Sequence, residues 1–441
     1  MTKHHFIPLC YPLFLITIFF AVTSSCHAAS RSQIIPSLTI QHQYDDNIYL
    51  SESHREKSDQ ITTVTPSVTY LVNNPVGNFS LLYAPTFVKY YDYDENDTIR
   101  HRADLSAGYY LSRHVRFNFS DSFLRSEDVS EEQYFDGSTK IRYRENRQTY
   151  YRNNATVSLN YFYARQSNVN IGFFHQYLEN NDESLDDGSI YGPTVTIAHW
   201  FTSKTGTELT YQYQHGEYTR DDISQPSNDY DGHDANIRFL HMFSPHTTAW
   251  IEYGYSLRSF EGPINTPTEE DYTIHSGTIG FDHTFSRHYT LSLSGGAYRQ
   301  IYDGEADNQS GFMYGASLTR DWRRASLTIS GSGGWDEDFL AGDPNRSDFS
   351  EYVNGSVGFV FRFTEDITSD ANASYRRDDY QTGIDENTIT ANIGVSYTIF
   401  RWLWLSVDYH YITRDSDDPD DEFTDNRIAL SLTASRPIDI D

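Results

Sequence analysis

The chain has 441 residues and a formal charge of −29, from 62 acids against 33 bases, which argues against nucleic acid as a partner. It holds 35 Tyr and 27 Phe yet is only 38% hydrophobic, too aromatic for a disordered chain and too polar for a bundle of membrane helices. Both cysteines, Cys10 and Cys26, lie near the N-terminus, so disulfide staples, thiol catalysis and thiolate metal sites are excluded from the rest.

In chain order, the first element is a leader. Lys3 gives a positive start, Phe6 to Val22 form an apolar run of 17 residues, and Cys26-His27-Ala28 offers a cleavage pattern. That grammar predicts a signal peptide over 1–28 and a single domain over 29–441. Thr23-Ser24-Ser25-Cys26 loosely resembles a lipoprotein box, but Thr23 stands where such a box prefers leucine.

Beyond residue 30 the chain alternates. Leu209, Tyr211 and Tyr213 alternate with Thr210, Gln212 and Gln214; Val353, Val357, Phe359, Phe361 and Phe363 alternate with Asn354, Ser356 and Arg362. From Thr388 to Ile399 the odd positions Ile389, Ala391, Ile393, Val395, Tyr397 and Ile399 are apolar, while the even ones are Thr, Asn, Gly or Ser. Side chains of a strand point alternately to its two faces, so each segment has one greasy and one polar wall. Many runs are longer than the ~5–6 residues of soluble strands and reach the ~9–11 that span a membrane.

Tight turns are expected near 73–75, 112–114, 165–167, 203–205, 244–246, 286–288, 323–324, 365–366 and 401. Longer, acidic loops are expected near 51–58, 94–99, 128–141, 180–188, 220–231, 261–271, 303–309, 338–349, 381–386 and 415–424. That rhythm predicts an all-β, antiparallel, up-and-down transmembrane barrel of about 20 strands, with 18 also open. It predicts an outer-membrane location with lipid around it and both termini in the periplasm.

His199-Trp200-Phe201, His241-Met242-Phe243 and His283-Thr284-Phe285 recur every 42 residues, each before a tight turn, and Phe363-Thr364 echoes them. A propeller blade of that length would hold four short strands. These strands are too long. At the membrane's edge the histidines fit an aromatic girdle better than a metal or catalytic role. Trp402 and Trp404 are expected at the lumen or rim.

The polar wall carries Arg100, Arg102, Arg116, Arg142, Arg144, Arg152, Arg238, Arg258, Arg362 and Arg376, with Asp104, Glu252, Asp282, Asp370 and Asp408 on the same face. Two readings stay open: a stiffening lattice of ion pairs, or a guanidinium path that binds an anionic or sugar-rich polymer. The cluster Asp415, Asp417, Asp418, Asp420, Asp421 and Glu422 lacks calcium-hand spacing and reads as a solvated rim. No cofactor or metal site is expected, and no catalytic residues. A lipid hydrolase on the barrel's outer face is the least favoured reading.

Tyr44-Asp45-Asp46-Asn47-Ile48-Tyr49-Leu50, followed by Ser58-Asp59-Gln60-Ile61-Thr62-Thr63-Val64-Thr65-Pro66, resembles the opening hairpin of the putative β-barrel porin 2 family. The residues carrying the likeness are Asp45, Asp46, Asn47, Asp59 and Pro66. The resemblance implies an outer-membrane barrel linked to exopolysaccharide and exosortase systems, and brings no catalytic residues. One departure stands out: such barrels usually end on an aromatic residue, whereas here the last strand, near Asn426 to Ala434, is followed by Arg436 to Asp441. The expected function is a porin-like conduit, for exopolysaccharide or small hydrophilic solutes. The alternative is a non-conducting scaffold whose acidic loops bind a partner or divalent cations. The sequence leaves substrate and oligomeric state undetermined.

Overall fold

The computed structural model describes residues 31–440 apart from 136–137, 145–146, 183–184, 220–228, 262–269, 305 and 341–348, and leaves out the side chains of 131–142 and 420. In chain order the strands are β1 (Arg31–Asp45), β2 (Asp59–Asn74), β3 (Gly77–Tyr90), β4 (Thr98–Tyr110), β5 (Val115–Ser126), β6 (Ser130–Phe135), β7 (Ser138–Tyr143) and β8 (Tyr150–Phe162). They continue as β9 (Asn168–Asn180), β10 (Asp187–Trp200), β11 (Thr205–Thr219), β12 (Asp229–Ser244), β13 (Thr247–Glu261), β14 (Tyr272–Ser286), β15 (Tyr289–Tyr302) and β16 (Gln309–Asp321). The last are β17 (Ala325–Glu337), β18 (Phe349–Arg362), β19 (Ile367–Tyr380), β20 (Asp385–Phe400), β21 (Leu403–Ser416), β22 (Phe423–Ser435) and β23 (Ile438–Ile440).

Twenty of these strands, β1–β5 and β8–β22, each pair antiparallel with the next around a closed wall. Closure runs from Ser37↔Ser435 to Asp45↔Arg427, where β1 meets β22. The expected turns and loops fall at opposite ends of the cylinder, called here the turn end and the loop end, and β1 begins and β22 finishes at the turn end. The segment after β22 does not fray. Its residues Ile438–Ile440 extend the seam as β23, with Ile438 opposite Ile34. β6 and β7 form a separate two-stranded hairpin inside the β5–β8 connection.

Contacts between strands that are not neighbours identify the concave face, because only there can side chains meet across the cylinder. Arg258 of β13 and Tyr298 of β15 lie on that face, where Glu337 and Glu351 reach them from the ends of β17 and β18 that turn into the barrel. The other parity faces out. It is apolar and exposed, as with Ile251, Ile279, Ile393 and Phe312. In water such a band would be a liability; against acyl chains it is the stable arrangement.

Two polar–aromatic belts bound this band. Near the turn end, His199, His241 and His283 each sit edge-on to Phe201, Phe243 and Phe285, at centroid distances of 4.8, 4.7 and 4.3 Å. The imidazoles of His241 and His283 also hydrogen-bond the preceding strand, through Thr205 and Thr247, and that of His199 bonds Tyr163 in the β8–β9 turn. Phe361 and Phe363 repeat the edge-on geometry at 4.7 Å without a histidine. Towards the loop end, Tyr83–His101, Tyr211–His233 and Tyr253–His275 form hydroxyl–imidazole hydrogen bonds of 2.9, 2.8 and 2.7 Å. Trp402 stacks on Phe400 at the turn-end rim, and Trp404 lies opposite Thr433 on the inward parity.

Candidate functional site: the lumen and its closure

Eight of the ten arginines named above take inward positions on wall strands. Arg102 pairs with Asp104 at 2.7 Å, and Arg238 with Glu252 at 2.7 Å. Arg238 also covers the ring of Trp250, which lies across Gly280 so closely that a Cβ there would come within 2.0 Å of the indole. Arg258, almost fully buried, bridges Asp234 at 3.0 Å and Glu337 at 2.6 Å. Arg376 binds Asp378 at 2.6 Å and Asp336 at 3.2 Å. Arg116 lies over Tyr110, Arg152 is buried near the loop end, and Arg362 is exposed near the turn end.

Arg142 and Arg144 lie off the wall strands on which alternation had put them. Arg142 belongs to β7 of the separate hairpin, and its side chain lies outside the described residues. Arg144 follows β7 in the loop and lies over Tyr150 at 3.7 Å. Parity along one wall strand does not carry through a hairpin that has left the wall. Conversely, the buried Arg414 and the half-buried Arg427 are inward arginines that sequence reasoning missed; they pair with Glu386 and with Asp45 and Asp425. Extending the same alternation into β21 and β22 would have found both.

Of the residues that carried the family resemblance, Asp45, Asp46 and Asn47 latch the seam. Asn47, with no exposed surface, donates from its amide to the carbonyls of Ser51 (2.8 Å) and Thr424 (3.0 Å) and accepts from the Ser51 N–H (2.9 Å). Asp45 holds Arg427 at 3.2 Å, and Asp46 accepts from the Asn426 N–H at 2.7 Å. Asp59 accepts the N–H groups of Tyr91, Asp92 and Tyr93, fixing the β3–β4 loop. Pro66 faces Leu38 of β1, and the β2–β3 ladder skips residues 65–67, where Pro66 and Pro85 stand. Neither proline has an N–H to give. The hydroxyls of Thr65 and Thr86 meet instead, at 2.9 Å.

The loop end of the lumen is filled. Ile48 and Leu50 from the β1–β2 loop and Val129 from the β5–β6 connection are buried against the inner wall. Arg100 of β4 anchors that connection through Glu127 (2.7 Å) and Asp128 (3.0 Å). Burial opposes ionisation of Asp128, but Arg100, Arg147 and Arg427 more than offset it and hold the carboxyl below its usual range.

The outer ends of β17 and β18 complete the plug. Asp336 and Glu337 are adjacent and must point to opposite faces of their strand. Yet Asp336 meets Arg376 of β19, while Glu337 meets Arg258 of β13 and accepts from the Tyr272 hydroxyl of β14 at 2.7 Å. A strand within the wall would offer only one of these to the lumen. The outer end of β17 therefore stands inside the barrel. Trp335 and Phe349 lie against Tyr298 on the inner wall, and the Tyr298 hydroxyl donates to Glu351. Beyond them Phe339 reaches Tyr230 at 4.4 Å, and Arg152 donates to the Leu340 carbonyl at 3.3 Å.

Below the plug the inward face is polar and open to solvent, as at Arg102, Ser120–Thr156, Asn372–Asn392 and Ser406–Asp408. A cavity of about 250 Å³ is lined by Gln41, Gln43, Tyr143, Asp408, His410 and Arg427, among others. It offers amide, carboxylate, imidazole and guanidinium groups to a polar solute. Among the described residues no group of three or more His, Cys, Asp or Glu side chains is placed to hold a metal ion.

A closed antiparallel cylinder with a lipid-compatible outer band and a polar interior defines the class of outer-membrane β-barrels. Within that class the chain belongs to the Putative beta-barrel porin 2 family, whose model matches residues 33–436. Solved structures with the same fold include the siderophore receptor PirA from Pseudomonas aeruginosa, at 11% identity and a TM-score of 0.52, covering 92% of this chain and 80% of that one. The copper transporter OprC has 9% identity and a TM-score of 0.52, over 91% and 80% of the two chains. The siderophore receptor PiuA from Acinetobacter baumannii has 8% identity and a TM-score of 0.52, over 91% and 82%. No curated protein sequence matches the chain.

Proposed function

We propose that the protein is a non-enzymatic conduit for polar solutes across the outer membrane, with its turn end and both termini in the periplasm. The loops then face outward, and the inward-folded segments close the outer mouth in the conformation described. The observation that carries this reading is the polar inward face, accessible to solvent from the turn end up to the plug. Passing molecules are small hydrophilic solutes or segments of exopolysaccharide, for which paired acids and arginines supply hydrogen-bonding groups without a deep energy well.

Single-channel recording in planar bilayers tests it. The wild-type barrel should conduct rarely, and a variant lacking 338–348 should conduct steadily, with neutral polysaccharide added to the periplasmic side blocking the current. A folded deletion variant without conductance would remove the conduit. The sealed loop end favours one alternative, a scaffold whose acidic loops bind a partner or divalent cations. In that case deleting 415–424 abolishes partner binding and no variant conducts.

A further inference from the structure

The inward position of β17 leaves its neighbour incomplete. β16 and β17 pair from Tyr314↔Gly333 to Asp321↔Ser326 and no further. β16 continues to Gln309 and β17 to Glu337, so five residues of β16 face no strand partner on that side among the described residues. An edge of unpaired N–H and C=O groups is costly beside lipid, and it is a template for another strand.

We propose that the outer arm of β17 and β18 has a second seat, within the wall beside β16. Continuing the observed register opposes Met313 to Gly334, Phe312 to Trp335, Gly311 to Asp336, Ser310 to Glu337 and Gln309 to Asp338. Every face suits that seat. Phe312 already points outward and is 79% exposed, and Trp335 would join it in the aromatic belt. Gly311 and Asp336 would turn to the lumen, and the polar pair Ser310 and Glu337 would lie outward at the rim. The two seats exchange comparable interactions. Inside, the arm has the Arg258 and Arg376 ion pairs and the Tyr298–Trp335–Phe349 stack. In the wall it gains a backbone ladder and an aromatic face against lipid. Moving outward would draw Phe339 and Leu340 off Tyr230 and Phe260 and open the mouth. The gating consequence rests on the conduit reading; the second seat itself does not.

A disulfide separates the two states. The full-length protein carrying Gln309→Cys and Asp338→Cys is purified, reconstituted in phospholipid vesicles and oxidised. In the inward seat, Asp338 lies between Glu337, bound to Arg258 of β13, and Phe339, packed on Tyr230 of β12. Gln309 is on β16, opposite Gln300 of β15. Three strand spacings of ~4.8 Å separate β13 from β16, roughly 14 Å, beyond the ~7 Å between Cα atoms that a disulfide tolerates. The expected result is a disulfide that forms with time, raises conductance several-fold and is reversed by reductant.

The proposal is overturned if the barrel is folded, each cysteine accepts a small thiol reagent, and no disulfide forms at any holding potential. Ser310→Cys with Glu337→Cys is the second pair, should the first impair folding. A disulfide without conductance would remove the conduit and keep the second seat. A conducting 338–348 deletion without a disulfide in the paired-cysteine protein would do the reverse.

Discussion

Thr278 and Ile279 are neighbours on β14 with opposite surroundings, and arginine should be tolerated at the first and costly at the second. Ile279 lies near the middle of the strand, 62% exposed, opposite the equally lipid-facing Ile251. A guanidinium there would sit at the bilayer midplane, at a cost of about 2–4 kcal/mol. At 1.4 kcal/mol per decade, that is roughly a 30- to 700-fold loss in the folded-to-unfolded ratio. Thr278 points inward, between Glu252 of β13 and Gly296 of β15. An arginine would share the Glu252 carboxylate that Arg238 already holds at 2.7 Å, so the net change there should stay within about 1 kcal/mol. Guanidinium titration of each variant in phospholipid vesicles, followed by tryptophan fluorescence, measures both. Equal losses, or a larger loss for Thr278→Arg, would overturn the assignment of faces on which every later step depends.

Arg258→Met should leave Asp234 and Glu337 buried without their shared cation and cost about 3–5 kcal/mol; adding Glu337→Gln should recover part of it, read from melting temperatures in detergent. Asn47→Ala removes three hydrogen bonds, one across the seam and two within the β1–β2 loop, at about 0.5–1.5 kcal/mol each, and heat-modified migration on gels should show the barrel opening at lower temperature. The Asp128 carboxyl is held below its ordinary value in the folded barrel, so its contribution is fully present above the unfolded pKa of about 3.9 and fades as pH falls through the lower folded value. Protease accessibility of 127–149 should therefore be unchanged between pH 8 and 5 and rise only in stronger acid. Release near pH 6 would contradict the Arg100–Asp128 anchor.

The architecture was legible because it follows from one rule, alternation, repeated between turn signals. The runs through Leu209–Gln214 and Thr388–Ile399 announce their two faces directly, and the strand total depends only on counting interruptions. The plug was not legible, for a physical reason. Alternation assigns faces only while a strand stays in the wall, and nothing local marks where it leaves. Gly333-Gly334-Trp335-Asp336-Glu337-Asp338 does carry a trace, since polar residues occupy both parities there. Within the lipid band an outward Glu337 would have no partner, whereas inside the lumen it meets Arg258. The β6–β7 hairpin hid within an acidic stretch in the same way, and took Arg142 and Arg144 with it. Arg414 was overlooked because it abuts the Asp415–Glu422 cluster, whose charge reads as loop although β21 extends to Ser416, whereas Arg427 lies within the expected last strand, where alternation alone assigns it inward.

The imidazole–phenyl pairs at 42-residue intervals also bear on how such a cylinder changes size. At His241 and His283 the pair is fastened to the strand before it through a threonine hydroxyl, so the unit from His199 to His241 ends on the same joint as that from His241 to His283. Gene segments encoding one such unit could be duplicated or lost with the joints intact. The circumference would then step by two strands at a time, and the bore would widen or narrow in proportion.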